Sequence, residues 1–225
     1  MLASFAAAAA CGVLFWLQER RAAQPMLPLS LFAHRMFALT ALDGLLVNVA
    51  FYGLIFVLSL YLQQVNGFSP FQTGLAFLPM MGLVLPVNLL APRAAEKFGA
   101  PAVIAAGAVI SAAGCVALLG IADGTSYWAI GPQLATIGGG LGLLVPPLTS
   151  ALLGSVDKSR SGVAAGVLNA TRQTGSVLGV ALFGSLLGAT TAFTSGARIA
   201  LIISIVLQLA AAAAITFGRD NRTGR

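Results

Sequence analysis

Arg172 lies about ten residues into an apolar run, roughly 15 Å at 1.5 Å of helix rise per residue. That is near mid-depth of a hydrocarbon core about 30 Å thick. An ionisable group at that depth costs about 2.5–3.5 kcal/mol on insertion scales, so its presence needs a reason. Asn169, Arg172, Gln173 and Ser176 fall at i, i+3, i+4 and i+7, which puts them on one helical face. Such a stripe must face other helices or a watery cavity. One reading makes Arg172 a substrate-contacting or gating cation. The other makes it a structural cation that snorkels towards the interface or bonds the carbonyls of a broken neighbouring helix.

Asp43 is the second ionisable group inside an apolar run, about 10 Å deep by the same rise. A membrane carboxyl group can take up and release a proton. The competing reading is an ion-pair partner for nearby arginines. Asn48, Tyr52 and Ser59 follow in the same run, and five residues turn a helix by about 140°, so Asp43 points away from their face.

Seven apolar runs must carry these residues: about 2–17, 37–62, 74–91, 102–121, 128–153, 162–189 and 199–217. A spanning helix needs roughly 20 apolar residues. The runs do not alternate in polarity as barrel strands do, so the expected fold is all-α, a polytopic transmembrane helical bundle. Composition agrees. Hydrophobic residues make up 58% and charged residues 8%, against about 25% charged in a soluble domain.

Charge also predicts an orientation. Of 12 Lys and Arg, most lie in the gaps 19–35, 93–97 and 158–160 and in the tail after 218. The gaps 63–73 and 122–127 carry none, and 190–198 carries Arg198 alone. Cytoplasmic loops are enriched in Lys and Arg, so the basic gaps and the C-terminus should lie inside. A net charge of +6 spread over loop ends reflects topology and does not form the single basic face that nucleic acid requires.

The first run is not a signal peptide, because its charges follow it rather than precede it. A chain beginning flush with such a span is expected to be a fragment or a late start. The Pro-broken segment 24–32 should lie along the inner interface. Cys11 and Cys115 have no metal-ligand spacing and read as small buried apolar residues; His34 reads as an interfacial residue. The sequons at Asn169 and Asn221 fall in a span and in a predicted cytoplasmic tail. No metal cluster, cofactor loop or nucleophile–base pair is present, so neither an enzyme nor a cofactor is expected. Gly138/Gly142, Gly162/Gly166, Gly175/Gly179 and Gly184/Gly188 each have the four-residue spacing that admits close helix approach. Pro146-Pro147 should break or kink the fifth run, and Pro79 and Pro86 the third.

Three stretches resemble a known family. They are Pro28 through Phe37; Tyr61-Leu62-Gln63-Gln64-Val65-Asn66-Gly67-Phe68-Ser69-Pro70 with Thr73-Gly74-Leu75 and Leu78-Pro79; and Gly162 through Gly175 with its continuation Leu178-Gly179-Val180-Ala181. Together they resemble the C-terminal half of a major facilitator superfamily transporter, in the fourteen-span drug:proton antiporter (multidrug efflux) branch. The gap Pro92-Arg93-Ala94-Ala95-Glu96-Lys97-Phe98-Gly99 is similar to that superfamily's inner loop, with Pro92 where a glycine usually stands and Glu96-Lys97 where Asp-Arg usually stand. The resemblance implies residues 1–36 as a partial linker span plus interface segment, 37–217 as a six-helix bundle of three-plus-three inverted repeats, and 218–225 as a cytoplasmic basic tail. It implies Asn48, Tyr52, Asn169, Arg172 and Gln173 as cavity residues, and Arg93, Glu96, Lys97 and Gly99 as gating residues, beside the plainer reading of these as inner anchors. It further implies a small-molecule substrate, protons, a plasma-membrane location and a partner N-terminal half that this chain lacks. A half-length membrane subunit or scaffold without transport activity of its own is the alternative.

Overall fold

The computed structural model describes residues 10–14, 17–18, 30–120, 125–189 and 193–220, with side-chain detail ending at Phe217. A short helix, α1 (Ser30–Ala33), precedes six long crossings: α2 (Arg35–Leu60, with a wide π-helical turn over Tyr61–Val65), α3 (Pro70–Ala76) with α4 (Leu78–Phe98), α5 (Ala100–Leu118), α6 (Tyr127–Leu153), α7 (Ser161–Ala189) and α8 (Phe193–Asp220). The described residues contain no strand. Each crossing corresponds to one of the last six apolar runs; most of the first run lies outside the described residues, as does the tail from 221 onward. Five crossings are long and apolar enough to span a membrane. α7 is equally long but less apolar, because Asn169, Arg172, Gln173 and Ser176 interrupt it.

The turn between α2 and α3 shows why the Gln63–Pro70 stretch has its residue types. Gly67 has φ +69°, a left-handed conformation that strains other residues. Ser69 then caps α3: its Oγ accepts from the Gln72 N–H at 3.2 Å, while its own N–H donates to Gln72 Oε1 at 2.9 Å. Pro70 occupies the first turn, where no N–H is needed. Gly99, φ +87°, turns the chain between α4 and α5.

The third run does break, at Phe77, with Pro79 just inside the start of α4, but α4 continues through Pro86. The fifth run does not break. α6 continues through Pro132, Pro146 and Pro147 to Leu153. Opening the backbone in a bilayer would leave several polar groups without partners, so continuity is the cheaper course.

Packing partners follow a two-fold pattern. α2 lies against α7 as α6 lies against α4; α6 lies against α5 as α2 lies against α8; and α5 and α8 pack on each other. Exchanging α2 with α6, α4 with α7 and α5 with α8 reproduces the partner set. Three crossings are an odd number, so the two triples are inverted relative to each other. Glycines make the seams. Added Cβ atoms at Gly138 and Gly142 would meet the Met80 and Val84 carbonyls of α4, and at Gly175 and Gly179 the Leu45 and Val49 carbonyls of α2. Gly107 and Gly140 face each other across α5 and α6, each within 2.6 Å of the other's carbonyl oxygen if given a Cβ. By contrast Gly162, Gly166 and Gly188 have nothing within 4 Å, so their spacing marks no internal seam.

The basic gaps share one end of the bundle. Arg35 Nη2 donates to the Phe217 carbonyl at 3.2 Å, and Leu31 is buried with Phe37, Leu152 and Ala164, which ties α1 to the α6–α7 end. At the other end Asn66 Nδ2 donates to the Thr125 carbonyl at 3.3 Å and the Tyr127 hydroxyl to the Ala76 carbonyl at 3.0 Å. Cys115 is buried as expected, but Cys11 is exposed. An apolar thiol on a lipid-immersed run does not need protein around it, so the apolar setting of Cys11 did not entail burial.

Candidate functional site

A cavity of about 430 Å³ lies between the first and second helices of the two triples. α2 contributes Val47, Asn48, Phe51, Tyr52 and Ile55; α4 contributes Met81, Val84 and Asn88; α6 contributes Leu141 and Val145; α7 contributes Arg172 alone. The seam glycines place these helices. With Gly175 and Gly179 against α2, Gly44 sits beside the aliphatic stem of Arg172, whose Cγ would be 3.9 Å from an added Cβ. The stem is thereby packed and the guanidinium is carried into the cavity.

Arg172 is partly buried and donates from Nη2 to Thr149 Oγ1 at 2.8 Å. Thr149 in turn donates to the Val145 carbonyl at 2.9 Å. The arginine therefore reaches across to a hydroxyl of an unbroken α6, not to the carbonyls of a broken helix. Tyr52 shares the cavity lining with it. No ion pair holds it, because no salt bridge forms among the described residues.

Of the five cavity residues expected from sequence, Asn48, Tyr52 and Arg172 line the cavity. Asn169 and Gln173 do not; both are exposed on α7, on the surface the bundle leaves open. Of that stripe, only Arg172 belongs to the cavity lining. Asn88 is the residue that sequence reading missed. It is a lone amide in the apolar third run, and its Oδ1 is buried without a hydrogen bond. That isolation was the available signal.

Asp43 stands apart from the cavity. It is 0% exposed, and neither carboxyl oxygen has a hydrogen-bond partner. The ion pair with nearby arginines is not formed. Arg93, Glu96 and Lys97 are exposed on the last turns of α4, with Lys97 Nζ 5.3 Å above the Phe98 ring and Gly99 closing the helix. They lie at the basic end, away from the cavity lining. Among the described residues no His, Cys, Asp and Glu group could hold a metal ion.

Two inverted triples of helices around a central cavity are an arrangement found in membrane transporter bundles. The sequence model described as Major Facilitator Superfamily matches residues 1–180, and the chain belongs to that family. A methylenomycin A resistance protein of Streptomyces coelicolor is 32% identical over 202 residues, which cover 90% of this chain and 42% of that protein. The multidrug resistance protein Stp of Mycobacterium tuberculosis is 33% identical over 183 residues, covering 81% of this chain and 34% of its own. The chain thus spans less than half the length of these curated relatives. An auto-inhibited POT family peptide transporter shares the fold with a TM-score of 0.65 at 22% identity, over 82% of this chain and 37% of its own.

Proposed function

We propose that this chain is the C-terminal half of a proton-coupled exporter of small amphipathic compounds that works by alternating access. The observation that carries the reading is the cavity itself. It is walled by helices of both inverted triples, so rocking against a second bundle would expose it to either side in turn. Relatives named for methylenomycin A resistance, multidrug resistance and actinorhodin transport support small-molecule export.

In this reading residues 37–217 are the transporting bundle, 1–36 a linker span with its interface segment, and 218–225 a tail in the cytoplasm of a plasma-membrane protein. An N-terminal bundle covers the exposed faces of α4 and α7. Arg93, Glu96, Lys97 and Gly99 latch the two halves at the inner side, and Asn169 and Gln173 meet the partner bundle. Asp43 is the proton-carrying group of this half: a carboxyl group buried without any partner is most stable protonated, and movement that wets it releases the proton.

Accumulation of a panel of amphipathic dyes in cells tests export. Cells producing the protein together with whatever is encoded in frame upstream should retain less dye than cells producing a Val145→Trp variant, whose indole fills the cavity. A protonophore should abolish the difference. Equal retention of every dye would sink the exporter reading. An antibody to the tail gives the size of the native protein. A band near twice 22.8 kDa is expected; a band near 22.8 kDa would favour a half-length subunit that is completed by another chain.

A further inference from the structure

We propose that the cavity selects amphipathic compounds bearing an anionic group, such as a carboxylate or sulfonate, which Arg172 holds while the apolar body lies against Phe51, Ile55, Met81 and Val145. The inference rests on the reading of this cavity as the transport site and names its substrate class.

The cavity is electrostatically one-sided. Arg172 is its sole charged lining residue, and no Asp or Glu lines it. The other described carboxyl groups are placed elsewhere: Asp43 is buried outside the lining, and Glu96 and Asp157 are exposed near the basic end of the bundle. A guanidinium has five N–H donors in a planar fork. One, from Nη2, is taken by Thr149 Oγ1, and no other bond from Arg172 to a described residue is formed. The remaining donors suit a two-oxygen anion, which the fork binds with two parallel bonds.

The other polar groups are consistent with this. Tyr52 lines the same cavity, and its hydroxyl is a donor that an anion there can use. Asn48 uses one of its two Nδ2 hydrogens on the Gly44 carbonyl at 2.7 Å and carries no charge. Asn88 also belongs to the α4 wall, with its Oδ1 buried and unbonded, and as an amide it adds no charge to the lining. A cationic compound in the same space would meet an unneutralised like charge at low dielectric, and no carboxylate in the lining offsets that repulsion. The volume, about 430 Å³, suits one small drug-sized body.

Three probes with one shape and three charges test this: 2-naphthoate, 2-naphthamide and 2-naphthylmethylammonium. Their binding to the full 225-residue chain in nanodiscs of uncharged phosphatidylcholine is measured by equilibrium dialysis against empty nanodiscs. Naphthoate should bind at least about tenfold more tightly than naphthamide, as one charge-assisted bond implies, and the ammonium most weakly. Arg172→Lys should keep that order. Arg172→Gln should bring naphthoate down to the naphthamide level while naphthamide binding persists, which also shows that the variant is folded. Equal affinity for all three probes, preference for the ammonium, or an unchanged naphthoate preference in Arg172→Gln would overturn the inference. If Val145→Trp nevertheless abolishes binding, the cavity remains a binding site and only its charge preference is refuted. If no probe binds above empty nanodiscs, the inference is overturned, while the transport reading, in which a second bundle completes the cavity, is judged by the dye-export experiment.

Discussion

At the scale of single residues, Arg172 and Asp43 solve the same problem in opposite ways. Arg172 keeps its charge by lying at the edge of a cavity and borrowing the Thr149 hydroxyl. Asp43 has no such outlet, and its two oxygens sit in the packed interior without a donor. An unsatisfied buried polar group destabilises by about 1–3 kcal/mol. Asp43→Leu is therefore expected to leave the unfolding midpoint in detergent unchanged or raise it, whereas a structural ion pair would make the same change strongly destabilising. Asp43→Asn should fold normally, still bind probes in the cavity, and lose response to an imposed pH gradient in the intact transporter. Unimpaired pH-driven transport by Asp43→Asn would remove Asp43 from the proton path.

At the scale of helices, the seams depend on glycine where backbones touch and are indifferent to it elsewhere. Gly138→Val and Gly175→Val push a side chain into a facing carbonyl and should each cost about 1–3 kcal/mol, read as a lowered unfolding midpoint. Gly166→Ala has open space around it and should change the midpoint little in the isolated chain. If Gly166→Ala were as damaging as Gly175→Val, the packing described for α7 would be wrong. The cap on α3 is a smaller matter: Ser69→Ala removes one of two reciprocal bonds and should cost about 1 kcal/mol.

At the scale of the whole molecule, most basic residues gather at one end of the bundle, and the enrichment of cytoplasmic loops in Lys and Arg predicts that this end lies inside. With Cys11 replaced by Ser, Ser126→Cys should react with a membrane-impermeant maleimide on intact cells, since Ser126 is exposed at the end poor in Lys and Arg. Ser159→Cys, exposed at the basic end, should react only after the membrane is opened. The reverse result would invert the orientation. Cys115 is buried and contributes no background.

The sequence by itself determined that six helices would span about where they do. Apolar runs of that length in lipid must close their own backbone hydrogen bonds, and a helix does so within one run. It also placed the α2–α3 turn, because Gly67, Ser69, Pro70 and Gln72 act on their own neighbours. Side selection was another matter. Asn48, Tyr52, Asn169, Arg172 and Gln173 look alike as polar interruptions, and only the tertiary structure separated the three that line the cavity from the two that do not. It alone added Asn88, and it alone showed that Gly175 and Gly179 make a seam while Gly162 and Gly166 do not. A helix face is set by local periodicity, but what lies opposite that face is set by residues far along the chain, through contacts that no local pattern encodes.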